Sequence, residues 1–163
     1  MGEPIPALAR QVLGLCRRRG LTLGTVESCT GGMIGAALTA IPGSSDVVMA
    51  GLITYSNAAK AQLADVPPDL IRAHGAVSEE VARAMADGGR RRLGVSLCVA
   101  VTGVAGPGGG SAAKPVGTVW LAVAGGHGVT AELAQIPPAG RGAIRREATR
   151  RALRLLAAAA TGA

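Results

Sequence analysis

An apolar stretch of strand character, Leu21-Thr22-Leu23-Gly24-Thr25-Val26, runs into Glu27-Ser28-Cys29-Thr30-Gly31-Gly32. Residues 33–41 follow, and their apolar side chains suit a buried helix. A strand that turns through paired glycines straight into a helix is the building unit of open α/β sheets, and few other architectures accommodate it. It places the turn at the carboxyl end of the strand, where such sheets bind ligands and where the helix offers unpaired N–H groups. Ser28 sits at that turn and admits two readings. Its hydroxyl is an attacking group, with the N–H groups of Cys29, Thr30, Gly31 and Gly32 facing the oxyanion of an attacked carbonyl. Alternatively Ser28 or Thr30 is only a helix N-cap, and the glycines serve close packing. On these eight residues alone the cap is the simpler account.

A length of 163 residues suits one domain, residues 1–163, with a sizeable core. Phe is absent and Trp120 and Tyr55 are single, so Ala, Val, Leu, Ile and Met must build the interior, with 25 Gly allowing close backbone contact. The three cysteines, Cys16, Cys29 and Cys98, are odd in number and widely spaced. They form neither a disulfide framework nor a metal motif, and a reducing compartment fits them. No apolar run approaches the roughly 18 residues of a membrane span, and Gly2-Glu3-Pro4 is unlike a signal sequence, so a cytoplasmic protein without membrane association is expected. The formal charge of +7 raises the question of nucleic acid. The arginine clusters at 17–19, 90–92 and 145–154 lie apart along the chain and read as solvated helix faces, and aromatic stacking platforms are nearly lacking. No nucleic-acid partner is expected.

Leu8, Val12, Leu15 and Cys16 fall at helical spacing ahead of a basic last turn and Gly20. After Pro42-Gly43, residues 47–55 read as a buried strand closed by Tyr55, and Ser56 caps a short helix that carries Lys60 in its first turns. A cation near the positive helix end is disfavoured, which would lower the lysine pKa and leave a possible general base. An ordinary surface lysine is the bland alternative. Pro67-Pro68-Asp69 opens a turn that ends at Gly75, and Ser78 caps a helix stopped by Gly94, so Glu79 and Glu80 are explained by helix chemistry. His74 and His127 are read as loop or cap residues, which leaves no histidine-centred triad and no metal site.

Residues 96–102 are continuous enough for a central strand, and they empty into Gly103-Val104-Ala105-Gly106-Pro107-Gly108-Gly109-Gly110-Ser111. The amides of Gly106, Gly108, Gly109 and Gly110 suit an anion-binding nest, with Thr102 pointing into the same crevice; a merely flexible loop is the alternative. Two further strands about Gly125-Gly126-His127-Gly128 form a hairpin, which makes the sheet mixed, and a long helix starts near Arg141. Arg141 can reach an anion in the crevice, whereas Arg145, Arg146, Arg150 and Arg151 read as surface charge.

The dispersed motifs Glu27-Ser28-Cys29-Thr30-Gly31-Gly32, Pro42-Gly43-Ser44-Ser45, Thr54-Tyr55-Ser56-Asn57, Lys60, His74-Gly75-Ala76-Val77-Ser78-Glu79-Glu80-Val81-Ala82, Thr102-Gly103-Val104-Ala105-Gly106-Pro107-Gly108-Gly109 and Lys114-Pro115-Val116-Gly117-Thr118-Val119 occur in one order. Together they resemble the CinA C-terminal domain family, whose enzymatically defined members are PncC-type nicotinamide-nucleotide amidohydrolases. The resemblance implies a three-layer α/β/α sandwich that converts nicotinamide mononucleotide and water to nicotinate mononucleotide and ammonia, with no metal and no cofactor. It implies Ser28 as nucleophile, Lys60 as base, and Tyr55 and Thr102 as supporting catalytic residues. The serine turn, the glycine loop and Arg141 would bind the nucleotide. The chain departs from the family pattern at Ala58, at Ala112-Ala113 and at Gly140, and the last leaves Arg141 or Arg145 as the counterpart of the family arginine. The competing reading is a non-catalytic, nucleotide-binding regulatory domain of the kind linked to competence or DNA damage. A homo-oligomer is expected.

Overall fold

Helix α1 (Ile5–Arg19) begins behind Pro4 and stops at Gly20, whose φ of 65° is the left-handed turn that lets the chain leave the helix. The chain then enters β1 (Leu23–Glu27), the second strand of a five-stranded sheet ordered β2-β1-β3-β4-β5. The computed structural model describes residues 2–162. Strand β1 runs parallel to β2 (Val48–Ile53) and to β3 (Leu97–Gly103), and the hairpin of β4 (Thr118–Gly125) and β5 (Gly128–Gln135) adds antiparallel to β3. The sheet is mixed, and β3 lies at its centre, as the continuous apolar run predicts.

Side-chain alternation along the strands divides the interior in two. Leu97, Val99 and Val101 pack with α1, α2 (Met33–Thr39) and α6 (Arg141–Gly162). Cys98 and Ala100 pack on the opposite side with residues of α3 (Asn57–Ala64), α4 (Pro68–His74) and α5 (Glu79–Leu93). The result is the three-layer α/β/α sandwich. The aliphatic composition serves this second interface closely, because α5 presents Gly88 to the Ala64 carbonyl and Gly89 to Val26 and Cys98 with no Cβ between them. The caps are as expected: the Ala59 N–H donates to Ser56 Oγ at 3.0 Å and the Val81 N–H to Ser78 Oγ at 3.3 Å.

Two expectations need correction. The strand at 48–53 is not buried: it is the outermost strand, one of its edges is unpaired, and Met49 and Ile53 are half exposed. An apolar run marks a strand without marking its place in the sheet. The arginine clusters at 17–19 and 145–154, apart along the chain, come to neighbouring helices, since α1 packs on α6, and they are not simply solvated. Several are tied to protein acceptors: Arg17 to Asp46, Arg19 to the carbonyls of Ala160 and Thr161, and Arg150 and Arg151 to Glu147. Among the described residues no helix is long and apolar enough to cross a membrane.

Topology sets the place of the site. From β1 the chain moves outward to β2, and from β3 it moves to β4 on the other side, so the connections leaving the carboxyl ends of β1 and β3 diverge. That divergence opens a crevice between them.

Candidate active site

The alternation that divides the core also sorts the residues at the end of β1. Leu23 faces the α1/α2/α6 side and Val26 the α3/α5 side. The Ser28 N–H still donates to the Val101 carbonyl at 3.0 Å, so strand pairing persists one residue past β1. Period two therefore sends Glu27 toward α2 and Ser28 toward α3.

On the α3 side Ser28 meets Lys60. The nitrogen-bearing end of Lys60 is carried inward by α3 until the residue is only 1% exposed, and its Nζ lies 3.1 Å from Ser28 Oγ. Nζ also donates to the carbonyl oxygens of Thr54 at 2.8 Å and Tyr55 at 3.3 Å. No carboxylate is among these partners, and burial pushes the Lys60 pKa below the ordinary lysine value of 10.5. The physical cause is thus desolvation, where the sequence reading invoked the dipole of α3. A neutral amine has two hydrogens and one lone pair. In that neutral form, with Thr54 and Tyr55 accepting the two hydrogens, the lone pair would be free to take a proton from the Ser28 hydroxyl, to which Nζ otherwise donates at 3.1 Å. The Cys29 thiol next to this pair is pushed up to about 11, chiefly by burial, and stays protonated near neutral pH.

The pair opens on a cleft of about 230 Å³ walled by Tyr55, Asn57, Ala76, Val77, Thr102, Gly103, Ala105 and Arg141. Thr102 Oγ1 donates to the Ala76 carbonyl at 2.9 Å, which uses its only hydrogen and leaves the oxygen able to accept. Tyr55 lies beyond the end of β2, 63% exposed, and acts at two points. Its carbonyl holds Lys60, and its phenol oxygen accepts from an Arg141 guanidinium nitrogen at 3.2 Å. Arg141 also donates to the Gly106 carbonyl at 2.8 Å, so it spans the rim from the tyrosine to the glycine loop. A larger concavity of about 460 Å³ lies at the opposite end of the sheet, between the β4–β5 turn and the end of α6. It is mostly apolar and far from this chemistry.

Three sequence expectations about binding do not hold as stated. The amides of residues 29–32 do not all face the cleft. Gly32 donates to Glu27 Oε1 at 3.2 Å, Gly31 donates to the Ser28 carbonyl at 3.0 Å, and Thr30 is wholly buried. Among the described residues the Cys29 amide has no protein acceptor, and Cys29 contributes to the cleft wall. The glycine loop likewise misses the crevice: Gly108, Gly109 and Gly110 border a separate shallow hollow with Pro107, Ser111 and Pro115. Gly106 reaches the cleft only through the carbonyl that Arg141 binds. Lastly, Arg145 is no solvated surface charge, because it donates to the carbonyls of Cys29 and Thr30.

Glu27 is the residue that sequence reasoning left without a role. It is 1% exposed, with Oε1 accepting from the N–H groups of Gly32 and Ile34 and Oε2 from that of Gly35 at 2.9 Å. Its carboxylate occupies the start of α2, the position a substrate anion would otherwise take. The available signal was an acid embedded in an apolar strand directly before a glycine turn.

A fold of this kind is shared with known proteins. The CinA C-terminal domain profile matches residues 6–160. A CinA-like protein of Parasynechococcus marenigrum is 54% identical over 153 residues, which are 93% of this chain and 36% of that protein. One from Gemmatimonas aurantiaca is 56% identical over 75% of this chain and 28% of its own length. The chain thus spans about a third of the length of these relatives. Among solved structures, a competence/damage inducible protein from Agrobacterium tumefaciens is 44% identical with a TM-score of 0.93, over 97% of this chain and 96% of that one. A CinA superfamily protein from Klebsiella pneumoniae is 30% identical with a TM-score of 0.94, over 99% and 100%. Matching along nearly its whole length in sequence and in backbone, the chain belongs to the CinA C-terminal domain family.

Proposed function

We propose that this domain is a serine amidohydrolase that removes ammonia from the carboxamide of nicotinamide mononucleotide, yielding nicotinate mononucleotide. The observation that carries the reading is the buried Lys60 amine 3.1 Å from Ser28 Oγ, with its pKa depressed and its remaining partners two carbonyls. An amine so placed is a base for the hydroxyl and little else.

In the first half-reaction Lys60 takes the Ser28 proton while Oγ attacks the carboxamide carbon. The Cys29 N–H lies beside the nucleophile and holds the developing oxyanion. Lys60 then passes the proton to the amide nitrogen, which leaves as ammonia, and Ser28 carries a nicotinoyl ester. In the second half Lys60 deprotonates water, the hydroxide attacks the ester, the proton returns to Ser28 Oγ as the ester bond breaks, and the released carboxylic acid loses its own proton to solvent. Thr102 borders the reacting group, and Arg141 with the Tyr55 phenol forms the polar rim suited to a phosphate. None of these steps calls for a metal or a cofactor.

The second reading, a nucleotide-binding regulatory domain without turnover, is favoured by the names of the solved relatives, which speak of competence and damage and of no reaction. Incubation with nicotinamide mononucleotide separates the two. Ammonia release that disappears in Ser28→Ala supports the hydrolase; calorimetric binding with no ammonia from the wild-type protein supports the regulatory domain and overturns the hydrolase. A panel with nicotinamide riboside and free nicotinamide defines the need for the phosphate.

A further inference from the structure

Arg145 stands behind the cleft wall, yet it grips the serine turn at two points. Its Nε donates to the Cys29 carbonyl at 3.0 Å and a terminal nitrogen donates to the Thr30 carbonyl at 3.2 Å. The guanidinium lies close along the turn, since a Cβ added to Gly31 would come within 3.2 Å of it. From the opposite side Glu27 takes the N–H groups of Gly32, Ile34 and Gly35. Inside the turn the Ser28 carbonyl accepts from Gly31 and the Thr30 carbonyl from Met33.

These bonds fix the peptide planes of the turn, because a trans plane points its C=O and N–H in opposite directions and cannot rotate one without the other. With the Cys29 and Thr30 carbonyls held by a rigid fork and the Ser28 carbonyl by Gly31, little freedom is left to Ser28 and Cys29, which present the Oγ and the N–H. We propose that Arg145 is a positioning residue for the nucleophile turn, setting the serine hydroxyl and the adjacent amide for attack without touching the substrate. The inference rests on the serine-hydrolase reading and adds to it a function for an arginine outside the cleft. Arg141 and Arg145, one helical turn apart on α6, thereby divide the work: one faces the rim and the other the back of the turn.

The test is the rate at which a fluorophosphonate labels Ser28, read by intact mass. In that reaction Oγ displaces fluoride from phosphorus and its proton passes to Lys60, so the rate reports the turn and the base without any nucleotide. Arg145→Ala is expected to label about 30-fold more slowly, the size of effect that losing charged hydrogen bonds carries. Millimolar ethylguanidinium should restore part of the rate, which a purely structural role would not allow. Arg145→Lys, which keeps charge but not the fork, is expected to fall between the two and serves if the alanine variant fails to fold. Labelling of Arg145→Ala within about threefold of wild type, or of Arg145→Lys at the wild-type rate where the alanine variant does not fold, overturns the inference while leaving the hydrolase reading standing. Wild-type protein that is not labelled at Ser28 overturns both.

Discussion

The Nζ of Lys60 and the Oγ of Ser28 approach to 3.1 Å across 32 residues of chain, one delivered by α3 and the other by the end of β1. Neither neighbour sequence encodes the meeting. It follows from β1 and β2 lying side by side and from α3 folding back over the sheet.

Removing either partner should end turnover while sparing the fold. Ser28→Ala and Lys60→Met are each expected to lower ammonia release by about 1,000-fold or more, the scale on which a nucleophile or its base acts. Circular dichroism and melting of the two variants should stay close to wild type, since methionine fills the buried lysine stem.

Activity should rise with pH through the depressed pKa of Lys60 and level off below the ordinary lysine value of 10.5, because only the neutral amine accepts the serine proton. Stability follows the same group with a defined sign. Between the lowered folded-state pKa and 10.5 the unfolded chain binds the extra proton, so stability increases as pH rises through that window. Chemical denaturation across the pH range should display the increase in wild type and lose it in Lys60→Met.

Arg141→Ala should weaken the nucleotide without disabling the chemistry. One charged hydrogen bond to phosphate is worth about 1.5–3 kcal/mol, which corresponds to a rise in KM of roughly 10- to 150-fold for nicotinamide mononucleotide. Nicotinamide riboside, lacking the phosphate, should be unaffected, and steady-state kinetics with both substrates checks the difference. Tyr55→Phe, which removes the oxygen that Arg141 contacts, should shift KM in the same direction by less.

Glu27→Ala should act on stability first. It strips acceptors from three amides at the start of α2, and a penalty of about 3 kcal/mol is expected from leaving them unpaired. For a chain of this size that is a fall of roughly 6–12 °C in Tm by calorimetry.

How much of this was legible in the chain depends on the range of the interaction. Caps at Ser56 and Ser78 and the stop at Gly20 are written within a few residues, and the structure has them where the sequence puts them. The motifs around Ser28 and Lys60 marked residues worth bringing together, although only coordinates give their separation. Three features stayed hidden for one shared reason. That β2 is an edge strand, that Glu27 folds back onto α2, and that Arg145 donates to the carbonyls of Cys29 and Thr30 are all facts about spatial neighbours. Periodicity tells which face of an element is apolar and is silent on what stands opposite it.

The bare surface of α5 at Gly88 and Gly89 carries a consequence for anyone wishing to make this protein hardier. Alanine in mid-helix ordinarily gains up to about 1 kcal/mol over glycine. Here the added methyl would strike the Ala64 carbonyl at the far end of α3, the helix that holds the Lys60 amine against its serine. The absent side chain at Gly88 thus sets how closely α5 admits the helix that carries the base, and a routine stabilising substitution there would push that helix away.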